Sequence, residues 1–496
     1  MMKAAAKQSI YSTVFAYIGV AVGYVNLLWL FPYILRADQI GTLKTIQDMG
    51  LLLVPFAQLG LGHGITRYFP KSRPNHYSFF SLAIVLAIIG FSIVCLLFIV
   101  FQDVIVGAYK ENAPEIIDYL LIVLCITFFG VIQSIFEAFS RSFFKTAFPN
   151  FLRDVLLRLG LGGLVVLYFY SIIPFQWVIA GIAIVYGVSL FFLVYYAVWF
   201  EHFKLEWNWK SLTPAFKKQF LTYSLITLLG TAGAILIMKI DSLMVSSMIG
   251  LEANAIYTIA FSIAVVIEMP RRAISQVAMP IISEKFAAGA LEEINQLYKK
   301  IATHQTFICL LIFLLIWVNI DILYYFVPNN EVYRTGKWVV LLIGLGKLSD
   351  VVFSVNGEII VFSRFYVFNI TATLAMCVAV VLFNLLLIPF MDIEGAALAS
   401  LIAMAIYNFL KYAYVKFRLG FDPFTWPLLW VLLIGVLCWA VSAYVLPSPN
   451  NVWLKLILNS GVTLGLYLTG NFWLNTLPDL QKSLVDKKKE WGRTKS

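Results

Sequence analysis

Apolar residues run along this chain in long blocks, separated by short polar stretches that carry most of its charge. A helix crossing a hydrocarbon core needs roughly 20 predominantly apolar residues. Fourteen blocks of that kind follow one another, at about 9–34, 42–67, 78–101, 116–139, 147–170, 174–200, 218–249, 252–276, 297–326, 335–362, 365–390, 393–417, 424–446 and 451–475. The first begins near Ile10, after Lys3 and Lys7. It is too long for a signal-peptide core and lacks a clear cleavage site, so it reads as a permanent span. The expected fold class is an all-α polytopic membrane protein.

An even number of spans puts both termini on one side, and the basic residues choose which side. With the amino terminus cytoplasmic, 26 of the 36 lysines and arginines fall in cytoplasmic loops or the basic tail 479–496, against six on the other side. The remaining four, Arg153, Arg158, Lys239 and Lys347, lie inside spans. The localisation this implies is a multi-pass membrane protein with both termini in the cytoplasm.

Composition narrows the function. Hydrophobic residues make up 61% of the chain and charged residues 12%, whereas a soluble domain carries about 25% charged residues. A single soluble core is excluded. The pI of 9.2 reflects scattered loop charges, with no basic face to track phosphates, so no nucleic acid is expected. All five cysteines lie in apolar blocks and read as small hydrophobes, without disulfide or metal-ligand spacing. No cofactor and no metal are expected. The loops are short, the longest lying near 201–218 and 281–300. None can hold a nucleotide-binding domain or the catalytic groups of a glycan polymerase or ligase, so an enzyme is not expected.

Landmarks recur at one offset. Pro55 in Leu53-Val54-Pro55 and Pro270 in Glu268-Met269-Pro270 are separated by the same interval as Pro174 and Pro389, each of which stands between Ile and Phe. At that offset Ala37-Asp38-Gln39-Ile40-Gly41 falls opposite Glu252-Ala253-Asn254-Ala255-Ile256. Six spans is an even offset, so the copies run the same way through the membrane, as two parallel six-helix lobes with substrate between them. The expected organisation is 1–205 and 206–420 as the lobes, 421–478 as two extra transmembrane helices, and 479–496 as a basic cytoplasmic tail. Under the same offset Lys239 and Asp241 correspond to Tyr24 and Asn26, which places them near the bilayer centre and requires span seven to continue past Ile240.

Six plus six plus two spans resemble the multidrug/oligosaccharidyl-lipid/polysaccharide exporter superfamily. The stretches Leu35-Arg36-Ala37-Asp38-Gln39-Ile40-Gly41, Gln47-Asp48, Pro55-Phe56-Ala57-Gln58-Leu59-Gly60 and Arg67-Tyr68-Phe69-Pro70 look like the polysaccharide-biosynthesis flippases (Wzx-type, O-antigen or exopolysaccharide). Lys239-Ile240-Asp241 through Ala255-Ile256-Tyr257 is similar to the matching element of those proteins. The resemblance implies a flippase moving an undecaprenyl-pyrophosphate-linked oligosaccharide from the cytoplasmic to the periplasmic leaflet for surface polysaccharide, including lipopolysaccharide, by alternating access. It also implies contact with membrane lipid, proton or sodium coupling, a polysaccharide polymerase and glycosyltransferases as partners, and a monomer.

An ionisable group at mid-bilayer costs roughly 2.5–3.5 kcal/mol on the lenient insertion scale, so the charges inside spans are the candidate site. A cationic set, Lys239, Arg153, Arg158 and Lys347, would lower the barrier to a pyrophosphate; the alternative for each is helix pairing. Asp241, Asp48, Asp154 and Asp350 are candidates for ion coupling or pairing. Lys239 and Asp241 lie about 200° apart on a helix. Asp154 and Arg158 are spaced i,i+4 and Lys347 and Asp350 i,i+3, so both pairs can close within one helix, leaving Arg153 the freer arginine. Asp48 could also be a capping residue, and Glu137, Glu268 and Glu358 are expected to meet loop lysines. A cation-coupled multidrug antiporter of the same superfamily would favour a carboxylate-dominated cavity. A lipid II flippase is the other alternative, against which stands a first span with no charge from Ile10 to Leu35.

Overall fold

The computed structural model describes residues 2–72, 75–200, 203–447 and 449–478, with side chains from residue 7 onward. The basic tail 479–496, Arg73 and the Lys3 side chain lie outside the described residues. Among the described residues every regular element is helical.

Each expected span corresponds to helix. Among the described residues ten helices are long and apolar enough to cross a membrane, or up to twelve if two bent pairs each count as one span. The expected spans 365–390 and 393–417 are both contained in the 54-residue helix Tyr366–Leu419, which is broken at Asp392 (φ 50, ψ −132), just after Pro389. The expected span 147–170 carries three charges and is helical over Ala147–Phe151, Leu152–Leu156 and Leu157–Phe169, the middle piece being a π turn.

By contact the chain divides into two compact units, residues 1–259 with 327–332, and residues 260–326 with 333–496. In the first unit, α1 (Met2–Val25) runs through a π turn at Asn26–Leu30 into Phe31–Ile34. Then come α2 (Ala37–Ala57), α3 (Leu61–Tyr68), α4 (His76–Val100), α5 (Leu120–Ser142), α6 (Leu157–Phe169), α7 (Phe175–Phe200), α8 (Pro214–Met248) and α9 (Leu251–Val265), whose last turns pass into the second unit. α8 is continuous past Ile240, as the repeat required.

α8 packs on α2 and α3 because small residues let the backbones meet. Ser224 and Phe220 of α8 lie against Gly60 and Gly64, and Gly60 (φ 69) also makes the left-handed turn between α2 and α3, which meet at a 47° bend. Gly41 faces the Leu251 carbonyl at the start of α9, and Gly19 faces the Asp154 carbonyl. Beyond these seams a core of rings forms around Phe69, Phe79, Phe80, Phe139 and Phe220, mostly in edge-to-face contact.

The second unit contains α10 (Met269–Ala287), α11 (Leu291–Val318), α12 (Lys337–Val352), α13 (Asn356–Phe362), α14 (Tyr366–Leu419), α15 (Trp426–Tyr444) and α16 (Val452–Trp473). Its apolar core joins Leu310, Phe313 and Cys309 of α11 to Val431 and Ile434 of α15 and Tyr467 of α16. The starts of α4 at His76 and α11 at Leu291 are separated by the same interval as the paired prolines.

The glycine seams yield a stability prediction. A Cβ at Gly41 would overlap the Leu251 backbone, whereas one at Gly163 of α6 would meet nothing within 4 Å. Gly41→Ala is expected to cost about 1–3 kcal/mol through overpacking, while Gly163→Ala gains up to about 1 kcal/mol of helix propensity. Thermal unfolding in detergent checks this; equal midpoints for the two variants would contradict the seam.

Candidate functional site

Asp48 lies in the middle of α2, more than two turns from either end, so it caps nothing. Its side chain is 8% exposed, and both oxygens are taken by α8. Lys239 Nζ donates to Oδ1 at 2.6 Å and Ser242 Oγ donates to Oδ2 at 2.9 Å. Lys239 and Ser242 are spaced i,i+3 and share one helix face. Asp241 is directed elsewhere, as the two-residue spacing demands, and accepts from Tyr257 Oη at 2.9 Å on α9. A second polar tie, Asn254 Nδ2 to Thr45 Oγ1 at 2.9 Å, holds α9 to α2.

Two more cations belong to this group, and one of them, Lys44, shares the field of Asp48. Lys44 is one turn before it on α2, half-buried, and interacts electrostatically with Asp48, Lys239 and Arg158. The Arg158 side chain lies over Gly23 of α1, where a Cβ would sit 3.2 Å from its Cδ, Nε and Cζ. Its backbone carbonyl accepts from Asn26 Nδ2 at 2.7 Å. Among the described residues Arg158 makes no ion pair within 4.0 Å; Asp154 and Tyr24 act on it through space. Lys44 thus couples to Lys239, Arg158 and Asp48, while Asp154 answers Arg158.

Arg153 is engaged instead. It binds Glu137 Oε2 at 3.2 Å and Asp154 Oδ1 at 3.0 Å, with its own side chain 45% exposed. The expectation that Asp154 closes on Arg158 and frees Arg153 is therefore corrected. The physical reason is the π turn at Leu152–Leu156, which widens the helix and breaks the i,i+4 alignment.

The charges of the second unit are matched differently. Lys347 Nζ pairs with Glu268 Oε2 at 2.8 Å, and Arg272 Nε with Glu268 Oε1 at 3.2 Å. Arg271 Nη1 pairs with Asp350 Oδ2 at 3.1 Å, and its Nη2 lies 3.9 Å from Glu358 Oε1. The expected Lys347–Asp350 pairing within α12 is not made, because the Glu268 to Arg272 stretch presents both signs of charge to α12. Glu137, Glu268 and Glu358 likewise meet arginines and a lysine of helices rather than loop lysines.

Lys44 is a cation that the sequence reading counted with the loops although the expected span 42–67 contains it. The signal was present in Arg36 to Gln39: the Gln39 side chain accepts from the Arg36 amide at 3.1 Å and caps a helix beginning at Ala37. Arg271 and Lys411 were grouped with loops in the same way, yet both lie in helices, Arg271 with its side chain 12% exposed and Lys411 buried. Among the described residues no group of three or more His, Cys, Asp or Glu side chains is placed to hold a metal.

No curated protein matches the sequence significantly. Solved structures do match the fold. A lipid II flippase, MurJ, in an inward closed conformation superposes with a TM-score of 0.71 at 14% identity, over 93% of this chain and 97% of that one. An inward-facing multidrug resistance MATE family transporter of the MOP superfamily gives 0.62 at 14% identity, over 82% and 98%. A MOP superfamily transporter from Pyrococcus furiosus, described by a reversed polarity of its binding pocket, gives 0.57 at 14%, over 84% and 96%. At such identities the likeness establishes the fold. Residues 5–286 match the family described as polysaccharide biosynthesis protein. The chain is a multi-pass membrane protein with the MOP exporter fold, and it belongs to the polysaccharide biosynthesis protein family.

Proposed function

We propose that the protein flips an oligosaccharide linked to a polyprenyl pyrophosphate, of the undecaprenyl type, across the bacterial cytoplasmic membrane for O-antigen or exopolysaccharide assembly. The observation that carries this reading is the excess of cations around Asp48. Lys44, Lys239 and Arg158 share two carboxylates, Asp48 paired with Lys239 and Asp154 acting on Arg158, leaving net positive charge inside an apolar bundle. Such an arrangement is costly unless an anion is its ligand. A pyrophosphate supplies that anion, with oxygens that accept charge-assisted hydrogen bonds from ammonium and guanidinium groups.

Lys239 and Arg158 are the substrate-binding cations in this reading, with Lys44 beside them. Arg153, held by Glu137 and Asp154 at its exposed end, guides the headgroup in. Lys347, matched by Glu268, is structural. Asp48 keeps Lys239 in place until substrate replaces it. The two lobes, 1–205 and 206–420, rock against each other to give alternating access. Cationic drugs fit poorly, because a net positive site repels them. A lipid II substrate is a second reading, favoured by the 0.71 superposition on a lipid II flippase, although α1 brings no cation from Ile10 onward.

Two predictions test this reading. Lys239→Ala abolishes glycan export and, by leaving Asp48 buried and unpaired, lowers stability by about 3–5 kcal/mol. Adding Asp48→Ala restores the unfolding midpoint but not export; surface polysaccharide at the wild-type level in the double variant would refute the assignment. For orientation, a cysteine at position 487 reacts with a membrane-impermeant maleimide only after cells are opened. Labelling of intact cells would overturn the cytoplasmic placement of the termini.

A further inference from the structure

The span formed by α12 and α13 is bent by 48°, and the bend is held by side chains from other helices. Ser354 takes a left-handed conformation (φ 58) at the break. A break of this kind frees backbone carbonyls that need new donors. Gln305 Nε2 of α11 donates to the Val351 carbonyl at 2.7 Å, and Tyr298 Oη of α11 to the Phe353 carbonyl at 3.0 Å. Arg271 Nη2 of α10 donates to the Ser354 carbonyl at 3.4 Å.

Arg271 also ties the two halves of the span by charge. Asp350 stands four residues before Ser354 and Glu358 four residues after it. The guanidinium reaches Asp350 at 3.1 Å and Glu358 at 3.9 Å. One cation is thus divided between two carboxylates, one on each side of the bend. The remaining valences of this corner are open: Glu358 Oε2, Arg271 Nε, Ser354 Oγ and Asn356 Oδ1 are buried without hydrogen-bond partners among the described residues.

We propose that Glu358 is a proton-binding site whose occupancy sets the α12–α13 bend and so couples proton movement to transport. With Glu358 ionised, Arg271 spans the bend and holds it. A proton taken from water converts the carboxylate to the acid, the guanidinium keeps only Asp350, and α13 loses its ionic tie. The bend then opens toward a straighter span; release of the proton to the other side of the membrane restores it.

The groups facing this corner come from every neighbouring element. Glu268, Arg271 and Arg272 lie on α10 and the turn before it, with Arg272 and Lys347 both committed to Glu268. Tyr298 and Cys309 face it from α11, the former interacting with Glu358 and the latter with Arg271. From α14, the Lys411 ammonium lies 4.0 Å from the Tyr407 ring and 3.4 Å from where a Cβ on Gly357 would stand, and Tyr412 completes the set. Lys411 makes no ion pair with Glu358 within 4.0 Å. The link between α13 and the charged network is therefore the Arg271–Glu358 contact.

This inference names the coupling ion of the transport reading above, and its test follows the bend rather than export. Spin labels at Trp338 and Val361, both exposed, are placed on the full chain in liposomes, with Cys95 and Cys125 replaced by alanine. At about 1.5 Å rise per residue, straightening lengthens the separation by about 3 Å. Wild type is expected to change distance as the pH is lowered, with a single-proton profile, and to ignore added sodium at fixed pH. Glu358→Gln is expected to give the acid-form distance at every pH, Asp350→Asn to keep titrating, and Glu358→Asp to titrate with a displaced midpoint. A wild-type distance independent of pH, or a Glu358→Gln variant that still titrates, overturns the proposal, as does a response to sodium alone. A bend that responds to protons in a protein that exports no glycan would refute the transport reading and leave this one standing.

Discussion

Charge buried among apolar helices has to be answered by charge, and the way each cluster is answered organises this molecule. The Lys239–Asp48 pair shows the rule at its strictest, with a 2.6 Å contact and a serine filling the second carboxylate oxygen. Removing either partner strands the other in low dielectric, which costs more than the pair itself contributes. The pair also pins α8 to α2, so the electrostatic requirement and the helix seam are met by the same residues. Gly60 and Gly64 let the earlier turns of α8, at Phe220 and Ser224, approach α3 and the turn before it closely.

Departures from regular helix do the remaining positioning. The π turn at Leu152–Leu156 separates the fates of Arg153 and Arg158, one held by carboxylates and one laid over Gly23. The break at Ser354 turns Glu358 onto the same guanidinium as Asp350. Such irregularities are tolerated inside a membrane protein only where side chains restore the lost hydrogen bonds. Tyr298, Gln305 and Arg271 do so here.

The helices were legible in the sequence because an apolar run long enough to span a bilayer leaves few alternatives, and the offset between the paired prolines recurs in the helix starts. The buried face of α8 was legible too, since a two-residue spacing forces Lys239 and Asp241 apart. Ion-pair partners were not. Spacing shows which charges can meet on one helix, but Lys347 and Asp350 chose Glu268 and Arg271, on a segment that precedes all of α11 in the chain. Charges near span ends were misread for a related reason: hydropathy blurs the boundary by a turn, and Lys44, Arg271 and Lys411 were counted with the loops although the expected spans contain them.

The repeat bears on why the two charge clusters differ. Shifted by the interval that carries Pro55 onto Pro270, Lys44 and Asp48 fall on Ile259 and Ile263, and Arg153 and Arg158 on Phe368 and Thr373. In the other direction Lys347, Asp350 and Glu358 fall on Ile132, Ile135 and Phe143, and Arg271 on Phe56. The prolines and helix starts are shared between the copies while these charges are not. The chain carries instead a cluster with surplus positive charge, Lys44, Asp48 and Arg158 with Lys239 of α8, and a charge-matched network straddling the α12–α13 bend. Since function resides in particular side chains rather than in the fold that holds them, the proposed reading gives the two clusters different tasks. In it an anion is met where cations outnumber carboxylates, and a proton where carboxylates share a cation.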